Sequence, residues 1–120
     1  RRPGPNLATI TNVIGNVRKK NVILIDDLVD TGGTAVKSAE ALIKAGAETV
    51  SMFCTHGVLS GNAVKNIENS HIEELIITDT INNQEKLKGS KKIKVLSVAD
   101  LIAEAIKRIV SNKSISKLFS

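Results

Sequence analysis

The run Val22-Ile23-Leu24-Ile25-Asp26-Asp27, followed by Asp30-Thr31-Gly32-Gly33-Thr34, restricts the fold of this chain more than any other feature. An unbroken apolar stretch rich in β-branched side chains suits a strand covered on both faces, as in a parallel sheet. The run stops at Asp26-Asp27. Beyond the Gly/Thr loop, Ala35, Val36, Ala39, Leu42 and Ile43 share one helical face, and Gly46 stops that helix. Thr49 to Cys54 reads as the next strand. Residues 22 to 54 thus form a strand-loop-helix-strand unit of the length that a parallel crossover needs.

The flanking segments extend the same theme. Arg1 to Asn6 holds both prolines and reads as an extended loop, Ala8 to Ile14 as a weakly alternating strand, and Arg18 to Asn21 as a polar turn. Ser60 is placed to cap a short helix through Ile67. Leu75-Ile76-Ile77 is a buried strand ending at Thr78-Asp79, Asn82 to Lys92 a polar loop, and Ile93 to Leu96 another strand. Ser97 and Asp100 resemble a capping box, and Val98, Leu101, Ile102, Ala105 and Ile109 make the apolar stripe of a last helix. Ser111 to Ser120 is a polar tail closed by Leu118-Phe119. The expected class is α/β, a mostly parallel sheet with flanking helices.

Composition narrows the partners. With 120 residues the chain is one domain at most, and 42% hydrophobic with 24% charged residues is ordinary for a soluble globular protein. No apolar run is long enough to span a bilayer and no signal-peptide pattern precedes the domain, so no membrane partner is expected. Cys54 stands alone, which excludes an internal disulfide or a thiolate metal cluster and points to a reducing cytoplasm. The net charge of +5 favours anionic ligands, although the lysines are scattered as solubility alone would place them. With no Trp or Tyr and only Phe53 and Phe119, no base-stacking surface and hence no nucleic-acid partner is expected.

The Asp26–Thr34 stretch carries the chemistry. Ligands of open parallel sheets bind beyond the carboxyl ends of the strands. Gly32 and Gly33 let the backbone come close to a ligand, Thr31 and Thr34 offer hydroxyl donors, and the following helix aims free N–H groups at the loop. Together they make a seat for a phosphate monoester. Asp26 and Asp27 would repel that phosphate, but they can accept hydrogen bonds from vicinal sugar hydroxyls, or hold Mg²⁺ directly or through water. Asp27 could instead cap the following turn. Lys37-Ser38 resembles the end of a Walker A loop, yet Val36 stands where glycine is required.

Val22-Ile23-Leu24-Ile25-Asp26-Asp27-Leu28-Val29-Asp30-Thr31-Gly32-Gly33-Thr34 resembles the signature of the phosphoribosyltransferase-type fold. Arg1-Arg2-Pro3, Asn12 to Asn16, Thr55-His56-Gly57-Val58-Leu59-Ser60-Gly61, Ala103 to Ile106 and the tail Ser114 to Phe119 resemble the ribose-phosphate pyrophosphokinase (PRPP synthetase) family. The resemblance covers essentially the whole chain, in order. It implies transfer of the diphosphoryl group of ATP to ribose 5-phosphate, giving PRPP and AMP, with Mg²⁺ as cofactor.

The family is longer, with two similar α/β domains, and residues 1–120 resemble most of the second. The N-terminal ATP-binding domain would be absent, as would the opening strand and helix of the second domain and the lysine that the family places before Arg1. The fragment alone is then expected to be inactive. Residues 1–6 would be a remnant of the family's mobile catalytic loop and residues 112–120 its C-terminal tail. By the same resemblance Asp30, Thr31, Gly32, Gly33 and Thr34 would hold the 5-phosphate, Asp26 the ribose hydroxyls, and Asp27 would assist there or through hydrated Mg²⁺. Arg2 would be catalytic, stabilising charge at the transferring group. Ser114, Ser116 and Phe119 match a tail that contributes to an allosteric phosphate or nucleotide site between subunits; the alternative is a frayed terminus. Full-length relatives form hexamers built from dimers, so homo-oligomers are implied. His56 is expected to make a structural hydrogen bond or subunit contact, His71 to lie on a surface loop, and Cys54 to be inert core. Two other readings remain: a non-catalytic subunit associated with the synthetase, and a nucleobase phosphoribosyltransferase. The intact Gly/Thr loop argues against the first, and the Thr55–Gly61 segment with the Phe119 tail against the second.

Overall fold

The apolar segments become four parallel strands laid side by side in chain order. A computed structural model describes residues 13–119. Its elements are β1 (Asn21–Val29), α1 (Gly33–Lys44), β2 (Thr49–Gly57), α2 (Ala63–Glu68), β3 (Ile72–Thr78), β4 (Ile93–Leu96), α3 (Ala99–Val110) and a 3₁₀ turn, Ser116–Phe119. A sheet that grows in one direction through right-handed crossovers carries its helices on one face. The core is one-sided in that way. Val50, Met52 and Cys54 of β2 and Ile72, Leu75 and Ile77 of β3 pack with Ala35, Ala39 and Leu42 of α1 and Ala63 and Ile67 of α2. Their burial is the main force holding the sheet to its helices.

The expectation that Val22–Ile25 is covered on both faces does not hold. Val22 and Leu24 pack against the core, while Ile23 is 66% and Ile25 80% exposed. The cause is positional: β1 is an edge strand, and α1 and α2 lie over the other face of the sheet. The strand also outruns its apolar stretch. Its ladder with β2 runs from Asn21 opposite Thr49 to Val29 opposite Gly57, so Asp26 and Asp27 sit within the strand rather than at its end.

Other boundaries shift for local reasons. The part of the Ala8–Ile14 strand among the described residues, Val13 and Ile14, belongs to no strand. Ser60 does not cap α2; Asn62 holds the cap position, and the Ser60 carbonyl accepts the Ala63 N–H from the preceding turn. At α3 the Ser97 hydroxyl accepts the Ala99 N–H at 3.2 Å, and a distant carboxylate takes the place expected of Asp100. Asp79 accepts the Val98 N–H at 2.9 Å and the Ser97 hydroxyl at 2.6 Å, both charge-assisted bonds. The apolar stripe of α3 buries none of its residues. The Asn82–Lys92 loop is tied down by Glu68, which accepts from Ser90 Oγ at 3.0 Å, Lys91 N at 3.1 Å and Lys92 N at 2.9 Å. No described helix is long and apolar enough to cross a membrane.

Candidate functional site

The carboxyl end of β1 and the first turn of α1 enclose a cavity of about 270 Å³, lined by residues 26–35 and Met52. All seven residues expected to meet the sugar phosphate, Asp26, Asp27, Asp30, Thr31, Gly32, Gly33 and Thr34, line it. The chain enters α1 through Gly32, whose φ of 84° is left-handed. That conformation suits a residue without a Cβ. No side chain caps the helix, and no described residue accepts from the backbone N–H groups of Thr31 to Ala35. A helix start normally satisfies such donors with a capping side chain, water or a ligand. Here they are open to water or to an anion, and the helix dipole favours negative charge at that position.

The carbonyl side of the same loop is engaged from behind. Val29 O accepts from Val58 N at 2.9 Å and Leu59 N at 3.2 Å, Asp30 O from Ser60 N at 3.0 Å, and Thr31 O from Asn66 Nδ2 at 3.3 Å. Tying these carbonyls to β2's exit turn and to α2 leaves the loop's donors as its free side. Sequence reasoning takes Ser60 for a helix cap within the Thr55–Gly61 segment, and Asn66 carries no motif signal, so neither is singled out for this work.

Asp26 and Asp27 are exposed, and Asp26 Oδ1 accepts the Asp27 N–H at 2.8 Å. Their remaining carboxylate oxygens can meet vicinal hydroxyls at the cavity. Among the described residues no cluster of three His, Cys, Asp or Glu side chains could hold a metal ion. Asp26 and Asp27 are consecutive on β1 and so point to opposite faces, but a single carboxylate still fits hydrated Mg²⁺, which keeps most of its waters and takes other ligands from substrate phosphates.

His56 Nδ1 lies 2.8 Å from Thr80 Oγ1, beside the exit of β3. The buried Cys54 thiol donates to His56 O at 3.2 Å, and burial pushes its pKa up, the opposite of what a reactive thiol needs. His71 is exposed; with Ser51, Glu73, Glu74 and Lys92 it borders a larger depression of about 490 Å³ at the start of β3 and β4, remote from the Gly/Thr loop. Ser114 and Ser116 are brought together, hydroxyl to hydroxyl at 2.7 Å, with Arg108 Nη1 donating to Ser114 O at 3.2 Å; Phe119 remains exposed. Arg2 lies outside the described residues.

By its parallel sheet and strand-loop-helix site, this is an α/β domain of the phosphoribosyltransferase-like type. The profile of the family described as "Phosphoribosyl synthetase-associated domain" matches residues 5–120, and the chain belongs to that family. Proteins named ribose-phosphate pyrophosphokinase resemble it closely. That of Coxiella burnetii is 53% identical over 119 residues, and that of Clostridium acetobutylicum 50% identical over 122. Each match takes in 99% of this chain but 37% of the relative, so the chain spans little more than a third of the length of these proteins. A crystal structure of phosphoribosylpyrophosphate synthetase from Mycobacterium smegmatis superposes with a TM-score of 0.80 at 38% identity, covering 84% of this chain and 34% of that one.

Proposed function

We propose that this chain is the ribose 5-phosphate-holding portion of a ribose-phosphate pyrophosphokinase, an enzyme that converts ATP and ribose 5-phosphate to PRPP and AMP. The observation that carries the reading is the set of unclaimed backbone N–H groups from Thr31 to Ala35, facing a cavity whose other wall holds Asp26 and Asp27.

In this reading the amides of residues 31–35 and the hydroxyls of Thr31 and Thr34 take the 5-phosphate. Asp30 O is held by Ser60 N, which sets where the loop begins. Asp26 accepts from the ribose hydroxyls and Asp27 assists. Fixing both ends of the sugar phosphate orients its anomeric hydroxyl for in-line attack on the β-phosphorus of ATP. The new bond is anomeric oxygen to β-phosphorus, the bond to AMP's oxygen breaks, and the hydroxyl proton leaves to solvent. Positioning and charge neutralisation do most of the catalytic work in such a transfer. Asp26 or Asp27 would hold Mg²⁺, directly or through water, and the ion would supply neutralisation of phosphate charge. Arg2 contributes a cation to the transferring group. ATP binding, the Ser114, Ser116 and Phe119 effector site, homo-oligomerisation and a cytoplasmic location belong to the longer protein. The 120-residue chain alone performs no synthesis.

The test is calorimetric titration with ribose 5-phosphate, then the same with Thr34→Val, which removes a hydroxyl assigned to the phosphate, alongside AMP release from ATP in the longer protein. Saturable uptake that weakens in the variant supports the reading; unchanged affinity in the variant removes it. The rival, a non-catalytic associated subunit, calls for sugar phosphate uptake without AMP release.

A further inference from the structure

The turn that braces the phosphate loop is itself gripped from the next segment along. From the last residue of β3 onward, side chains reach back to carbonyls at the end of β2 and just beyond it. Thr78 Oγ1 donates to Thr55 O at 2.7 Å, Asn83 Nδ2 to Gly57 O at 2.7 Å, and Lys86 Nζ to Val58 O at 3.1 Å and Leu59 O at 3.2 Å. The amides of those same residues, Val58 and Leu59, with that of Ser60, hold Val29 O and Asp30 O. Each peptide of the turn is thus fixed on both sides, carbonyl toward the 78–86 segment and N–H toward the Gly/Thr loop.

Asn83 is the informative member. It is 5% exposed, and its amide is oriented by two carbonyls, Gly57 O and Ile81 O, so that nitrogen faces both. Its Oδ1 is left with no partner among the described residues. A buried unpaired oxygen is unfavourable, and a leucine would fill the volume without it. What the amide adds beyond packing is its hold on Gly57. Lys86 adds two further bonds from an exposed position, where its charge alone needs no such partners.

We infer that Asn83 and Lys86 are positioning residues for the Asp30–Thr34 loop, acting through the 57–60 turn to set where its N–H groups point. This rests on the reading of that loop as a sugar phosphate seat. Donors fixed in advance by a supporting shell bind an anion better than donors that must be gathered.

The test compares Lys86→Met with Lys88→Met. Both remove one positive charge from the same segment, but among the described residues the Lys88 ammonium reaches only the exposed carboxylate of Glu85, at 3.0 Å. Two readouts are taken on the protein: amide hydrogen exchange at Leu59 and Ser60, and affinity for ribose 5-phosphate. Lys86→Met is expected to speed exchange and weaken affinity, each about threefold to tenfold, the scale of a lost hydrogen bond. Lys88→Met is expected to leave both near their starting values, and Lys86→Arg to restore most of the loss. Asn83→Leu, which keeps the side-chain volume, is expected to act as Lys86→Met does, read well below its unfolding temperature. Equal exchange in Lys86→Met and Lys88→Met overturns the inference, as does faster exchange with unchanged affinity. Should the unaltered protein take up no ribose 5-phosphate, the reading of the seat fails, and the inference falls with it even if exchange shows the brace to be real.

Discussion

Gly32 sits over the side chain of Ile67: a methyl group built on its α-carbon would lie 3.4 Å from Ile67 Cδ1. That is an ordinary contact, so it is the left-handed φ of 84° that disfavours a side chain here. Gly32→Ala is therefore expected to destabilise the chain by roughly 1–2 kcal/mol, the scale of forcing an L-residue into that conformation. Denaturant unfolding measures it directly.

One residue further on, the expectation reverses. A methyl on Gly33 would meet nothing closer than Thr31 Oγ1 at 3.8 Å, and Gly33 opens α1. Gly33→Ala is expected to keep or raise stability, by up to about 1 kcal/mol, because alanine favours helix. The same methyl stands where a phosphate must approach the backbone, so sugar phosphate affinity is expected to fall about tenfold, near 1.4 kcal/mol. Paired unfolding and titration experiments separate the two effects. Loss of stability without loss of affinity would contradict the proposed role.

Asp79 latches α3 to the end of β3. The Ser97 hydroxyl first, and the Val98 N–H second, hold its carboxyl below the usual aspartate range. A depressed folded pKa means that folding favours the carboxylate. Its contribution is therefore present above the unfolded value of about 3.9 and is lost as pH falls through the lower folded value. Acid titration followed by the Val98 amide resonance is expected to show the latch opening below about pH 4. In Asp79→Asn that transition is expected to disappear.

Glu68 fastens the Ser90–Lys92 turn ahead of β4. Burial pushes its pKa up, but the N–H groups of Lys91 and Lys92 and the Ser90 hydroxyl outweigh that and hold it below the ordinary glutamate value. Glu68→Ala leaves those donors to water, and a loss of about 1–3 kcal/mol is expected. Thermal unfolding checks it, with Glu68→Gln falling between the two because it keeps one acceptor.

The elements legible in the sequence were those with a local cause. The apolar run at Val22–Ile25, the helical stripe from Ala35 to Ile43 and the Gly/Thr loop between them all stand where pattern and turn chemistry put them. What was not legible depends on contacts distant in sequence. Whether Ile23 and Ile25 are covered is decided by which face α1 and α2 choose, and no residue of β1 encodes that alone. Asp79 joins Ser97 at the start of α3 because two strand exits meet there. Lys86 looked like one solvated lysine in a polar loop; only the approach of Val58 and Leu59 gives it a task.

The central claim is tested most directly by following the backbone amide resonances of the chain during titration with ribose 5-phosphate. Saturable shifts concentrated at Thr31, Gly32, Gly33, Thr34 and Ala35 are expected, with ribose lacking its phosphate producing far smaller ones. Amides in that stretch unmoved by ribose 5-phosphate, or moved no more than by ribose, would contradict the account.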